Sequence, residues 1–202
     1  MSEQSNALIY SKNVIEMVTL AKEYTAFLER ASEFEADDFL SRSQKLLPLI
    51  YLKGSLLPDV EQLYEEEVEK FVSETDWTFV RNAIAELLTS RDDFYEIQSE
   101  LLFDTEGGEQ LSISEMMADI YQDLKDFIEL YRFGNEESIN DALYELKQNF
   151  ADYWGYKAVI ALKAIHKAIY FTNRLDDEDE SHDTSNQNSF FNRFQDSHRN
   201  ID

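Results

Sequence analysis

The chain has no cysteine, five glycines, two prolines and only 18 basic residues against 42 acidic ones among its 202 residues. The missing cysteine excludes disulfides, thiolate zinc sites and cysteine nucleophiles. So few glycines and prolines leave few places to break a helix. The shortage of bases leaves a net charge of −24. A field of that sign repels phosphate backbones and anionic lipid surfaces, so nucleic-acid and membrane binding are disfavoured. It favours basic partners and divalent cations. No apolar run approaches the ~18 residues of a membrane helix. The polar start Met1-Ser-Glu-Gln-Ser5 lacks the basic region of a signal peptide, which makes a cytoplasmic location the expectation. A Walker loop, a Gly-x-Ser-x-Gly elbow, a His-Glu-x-x-His pair and a dinucleotide glycine pattern are missing too, which sets aside the standard nucleotide and hydrolase folds.

What is present is a well-patterned helical chain. Hydrophobic residues make up 43% and aromatics 13%, enough to fill the core of one domain. The first helix is expected over about Ala7–Ser32, with Val14, Val18, Ala21 and Leu28 in one seam. A second spans Ala36–Leu47 and continues through Tyr51, with a disturbance at Pro48. Pro58 suits the first turn of a third, Val60–Val72. A fourth begins near Thr75 or Asp76 and carries Trp77, Val80, Ile84, Leu87 and Leu88. Phe94–Phe103 fits a short helix or extended chain, and Gly107-Gly108 marks a turn. Ser112 and Glu115 have capping-box spacing for a fifth helix through Tyr131. Gly134 ends it, and a sixth runs from Asn135 to about Phe171, with Gly155 as a kink or close-contact point. The expected fold is all-α: a single bundle of about six to seven helices over residues 1–175, followed by an acidic, Ser/Asn-rich disordered tail, 176–202.

Three stretches carry a resemblance. They are Leu46-Leu-Pro-Leu-Ile-Tyr-Leu-Lys-Gly54, Asp119-Ile-Tyr-Gln-Asp-Leu-Lys-Asp-Phe127 and Asn149-Phe-Ala-Asp-Tyr-Trp-Gly155. In this order and at this length the chain resembles an uncharacterised bacterial family, domain of unknown function 5063, over roughly Asn6–Phe171. The resemblance implies a helical bacterial protein. It carries no assigned activity and transfers no catalytic residue.

Among candidate sites the first is Asp119, Asp123 and Asp126. Spacings of four and three place them on one strip of the fifth helix, about 80–140° from the core direction, with Asp123 nearest the boundary. Carboxylates so spaced on bundle helices can hold magnesium or manganese for phosphoryl chemistry. Glu65, Glu66, Glu67 and Glu69 offer a second acidic group. Together they resemble in outline the all-α nucleotide pyrophosphohydrolases. However, the paired Glu-Glu-x-x-Glu and Glu-x-x-Asp motifs of those enzymes are not cleanly present. The plainer reading is a solvated helix flank in a chain rich in acids.

Tyr153–Leu175 contains no acid but holds Lys157, Lys163, His166, Lys167 and Arg174. Such a gap serves either pairing with acidic neighbours or a small anion site beside Tyr153, Trp154 and Tyr156. His166, the one histidine before the tail, reads as a core or boundary residue. Arg193 and His198 match an Arg-x4-His ribonuclease pattern but sit in the polar tail, away from any packed helix. Phe190, Phe191 and Phe194 in that tail have the character of a docking peptide.

These features favour a cytoplasmic, non-enzymatic protein-interaction module with an acidic surface, needing no cofactor. The alternative is a magnesium- or manganese-dependent phosphohydrolase of all-α type using the helix carboxylates. Mimicry of nucleic acid by the acidic surface is a third reading.

Overall fold

The computed structural model describes residues 7–64, 68–96 and 109–171. Among these residues the helices are α1 (Lys12–Glu29), α2 (Ala36–Ser55), α3 (Glu74–Leu88), α4 (Ile113–Phe133), α5 (Glu136–Asn149) and α6 (Gly155–Tyr170). One small antiparallel pair, β1 (Asp93–Glu96) and β2 (Glu109–Ser112), precedes α4 with Asp93 opposite Ser112. The architecture is all-α apart from that ribbon. The acidic tail 176–202, with Phe190, Phe191, Phe194 and the Arg193/His198 pair, lies outside the described residues, as do Glu65, Glu66 and Glu67.

α4 is the central element, packed against α1, α3, α5 and α6. Twelve of its 21 residues are buried, among them Met117, Ile120, Leu124 and Phe127, so it has neighbours on most sides. Its start is fixed twice over. The Ser112 hydroxyl accepts from the Glu115 N–H at 3.3 Å. Asp92, just before β1, accepts from the Ser114 N–H at 2.7 Å and its hydroxyl at 2.6 Å. Buried Tyr24 of α1 ties into the same helix by donating to the Met117 carbonyl at 3.0 Å. Ser73 and Asp76 form a reciprocal capping box at the start of α3, and Asn135 caps α5 through the Ser138 N–H.

Three expectations need correction. α2 runs through Pro48 without a break. Pro48 lies on the exposed side, where a carbonyl deprived of its N–H partner can be solvated. The expected sixth helix is two, α5 and α6, joined by a π-helical turn at Phe150–Trp154, with Gly155 as the first residue of α6.

The third correction is the largest: Val60–Val72 is not helical in its described residues. Those described residues form a non-helical strap against α4 and α5. Four of its backbone N–H groups are taken by buried side chains instead of by carbonyls of its own. Asp141 accepts from Leu63 and Tyr64 at 2.7 and 2.9 Å, and Asp126 from Phe71 and Val72 at 2.7 and 2.8 Å. Asn140 donates to the Glu61 carbonyl at 2.7 Å. Ion pairs Lys147–Asp59 and Lys70–Glu145 fasten the edges. As a helix the segment would also place Glu61, Glu65 and Glu69 one turn apart, where like charges oppose it.

Candidate functional site

The three aspartates of α4 lie along the seam where that helix meets α3, the strap and the α5–α6 junction. Each has its own partner. Asp119 accepts from the Trp77 indole N–H at 2.9 Å and pairs with Lys157. Lys157 Nζ also sits 3.9 Å from the centre of the Tyr153 ring. Burial lowers the Lys157 pKa, but hydrogen bonds with Asp119 and Tyr153 outweigh it, so the ammonium is held above its ordinary value. Asp123 accepts from the Asn149 amide at 2.6 Å. Asp126 accepts the two strap N–H groups. The expected order of burial is therefore reversed. Asp126 is only 4% exposed, because the strap covers it, whereas Asp123 remains partly exposed.

Asp123 and Asp126 line a crevice of about 10 Å³ under the strap, with Val68, Lys70, Glu145 and Asn149. That is room for about one water and far below the few hundred Å³ of a ligand site. Asp119 is not among its lining residues. Among the described residues, no group of three or more histidine, aspartate or glutamate side chains is placed to hold a metal ion. The geometry is that of a polar clamp. It joins α3, α4, the strap and the α5–α6 turn through charge-assisted hydrogen bonds.

The clamp is pH-sensitive. Burial pushes the Asp123 carboxyl up to about 6, against the opposing hydrogen bond from Asn149. Burial raises Asp126 as well. A carboxyl raised in the folded state binds its proton more tightly there than in the unfolded chain. Its contribution is fully present below the unfolded value and is lost as pH rises through about 6. Asp123→Asn keeps the acceptor for Asn149 and removes the charge. It is expected to raise stability at pH 7.5 by about 2 kcal/mol, after discounting for partial exposure. It should also flatten the dependence of Tm on pH between about 4 and 6.5. Urea melts of both proteins at pH 5 and 7.5 measure this, and equal shifts in the two would contradict it.

A second feature lies on the outward face of α3. Phe79, 62% exposed, stands in an open cleft of about 600 Å³ lined by Ser32, Glu74, Thr75, Thr78 and Glu86. The core stripe of α3 is Val80, Ile84 and Leu88, and Phe79 is off it.

A family model described as "Domain of unknown function (DUF5063)" matches residues 8–171. The chain belongs to that family. The match spans every described helix, as the three quoted stretches led us to expect. Those stretches meet in space: Asp119 and Asp123 of the second join Lys157 and Asn149 at either edge of the third, and Gly54 of the first faces Phe150 and Trp154. A crystal structure of protein BF1032 from Bacteroides fragilis, a structural-genomics target, is similar at 40% identity with a TM-score of 0.73. The similarity covers 81% of this chain and 96% of that one. No curated protein matches the chain.

The remaining site expectations fall out as follows. Trp154 is fully buried and donates its indole N–H to the Leu146 carbonyl at 3.1 Å, so it lines no anion site. His166 is exposed, 4.7 Å from the Tyr170 ring, where a core or boundary position was expected. Sequence reasoning missed Trp77, Asn149, Asp141 and Lys70 as clamp partners. It also missed Phe79, for which a signal existed: a phenylalanine beside the apolar stripe of α3 and not on it.

Proposed function

We propose that the protein is a cytoplasmic, non-enzymatic interaction module that docks a basic segment of another protein in the cleft around Phe79. The observation that carries this reading is an exposed aromatic held between carboxylates. Phe79 offers a large apolar contact, and Glu74 and Glu86 flank it on a protein of net charge −24. An aromatic anchor with a polar rim is the usual energetic centre of an interface. The surrounding field draws in a cationic partner and turns away anionic ones. The described residues include no helix long and apolar enough to cross a membrane, which is compatible with this setting.

The test is binding of a synthetic helical peptide, leucine-rich on one face and lysine-rich on the other, followed by fluorescence anisotropy. Wild-type protein should bind with an affinity that falls as salt is raised. Phe79→Ala should weaken binding at least tenfold, about 1.4 kcal/mol, with unchanged melting. Glu74→Lys with Glu86→Lys should weaken it and flatten the salt dependence. No binding, or binding that neither variant alters, overturns the proposal.

A further inference from the structure

The outward face of the α2–α6 pair is apolar and differs in charge from the rest of the molecule. Leu49 and Leu52 on α2, Leu56 just past its end, and Tyr156, Val159 and Tyr170 on α6 are each between 43% and 60% exposed. The spacing 49, 52, 56 makes one stripe of α2, and 156, 159, 163, 166, 170 one stripe of α6. The helices run antiparallel. Gly54 faces Trp154 at one end, and Tyr170 donates to the Gln44 side chain at 3.4 Å at the other. Six large apolar side chains exposed along one helix pair are more than the single scattered ones of an ordinary surface.

Charge and chain length point to an occupant. α6 lies within the acid-free stretch Tyr153–Leu175 and exposes Lys163 and Lys167, while α2 exposes Lys45 beside Leu49. A second copy of this face would set these cations against their own kind, between chains of −24 each. An acidic segment with apolar side chains meets no such obstacle, and this chain contains one. Residues 175–202 carry a net charge of −6, beginning with Asp176-Asp-Glu-Asp-Glu180 and followed by Phe190, Phe191 and Phe194. The described chain ends at Phe171, next to Tyr170 and the exposed cations of α6. The nineteen residues from there to Phe190 span about 25 Å as a coil. Gln44 to Leu56 along α2 is about 18 Å. Asp176 follows Phe171 by five residues, short enough to reach Lys167, and the phenylalanines can reach any part of the stripe.

We infer that Asp176–Asp202 covers this face in cis. Asp176–Glu180 lies along the cations of α6, and Phe190, Phe191 and Phe194 rest on Leu49, Leu52 and Val159. This inference is independent of the cleft around Phe79, which lies on a helix packed against α4 instead of α2.

The chain has no cysteine, so Asn192→Cys accepts a single spin label in the full-length protein. The expected result is loss of the Leu49, Leu52 and Val159 methyl signals when the label is paramagnetic, with Leu87 of α3 little affected. The signals should return in Phe190→Ser/Phe191→Ser/Phe194→Ser and recover partly in 1 M salt. A sample mixing spin-labelled, isotopically silent protein with unlabelled, isotope-enriched protein separates contact within a chain from contact between chains. Broadening that is uniform, centred elsewhere or retained in the triple variant overturns the inference. So does broadening that persists in the mixed sample, where only contact between chains can cause it, which would assign the face to a second copy.

Discussion

Asp126→Ala is expected to destabilise the protein by about 3 kcal/mol, or roughly 10 °C in Tm. One oxygen of this buried carboxylate accepts from both Phe71 and Val72, and the strap offers those N–H groups no carbonyl of its own in exchange. Truncation leaves two backbone donors beneath the strap without an acceptor, and each such orphan costs ~1–3 kcal/mol. Asp126→Asn should be far milder, because an amide oxygen can accept both bonds and burial already disfavours the charged carboxyl. Chemical melts of the two variants measure the difference. Equal losses in both would mean that the charge matters, and not the acceptor. The same design addresses the metal alternative for Asp119, Asp123 and Asp126. A site for magnesium or manganese held at ~100 times its dissociation constant would add about 2.7 kcal/mol to wild type and nothing to an Asn triple variant. The clamp reading expects equal, small responses from both.

Gly155→Ala is expected to cost a similar amount, about 3 kcal/mol. Gly155 follows the π-helical turn, and a methyl group there would collide with the Phe150 carbonyl oxygen, while the Phe150 ring stands 2.9 Å away. Backbone cannot yield as a long side chain can. Gly54 faces the same pair of rings from α2: a Cβ there would lie 2.5 Å from Trp154 and 2.6 Å from Phe150. The Gly54 substitution must push Trp154 out of a fully buried site and stretch its bond to Leu146, and the Gly155 substitution disturbs Phe150, whose ring centre lies 4.7 Å from that of Trp154. The expected signature is a loss of stability together with a red shift in tryptophan emission. Trp77, the other tryptophan, is held by Asp119 on a separate part of the seam. A variant that melts like wild type with unchanged emission would show that the α2–α6 contact has slack, contrary to this packing.

The legible parts of the fold were those encoded within a few residues. The spacing in Val14, Val18, Ala21 and Leu28 placed α1, Ser112 with Glu115 placed the start of α4, and Asn135 that of α5, because a helical face and its cap are short-range features. Gly155 was singled out as a close-contact point, and it is one. The family resemblance was legible too, from three stretches that the model match now spans. The strip of Asp119, Asp123 and Asp126 was found on the right helix, but what each carboxylate does was not readable.

Composition and periodicity by themselves determined an all-α protein, strongly acidic and without thiol chemistry. They also determined which helix faces are apolar. Only the tertiary structure decided that the described residues of Val60–Val72 are not helical, that Asp126 anchors them, and that Phe79 and the α2–α6 face remain uncovered among the described residues. The reason is range. The strap has a helical spacing of apolar residues, yet its backbone donors find acceptors on Asp126 and Asp141, 54 to 78 residues away. Once those buried carboxylates need partners and the strap can supply them, bonds across the fold outweigh a local helix whose glutamates repel one another. Exposure is likewise a relation between elements: an apolar residue is buried or bare according to what packs over it, which no window of sequence contains.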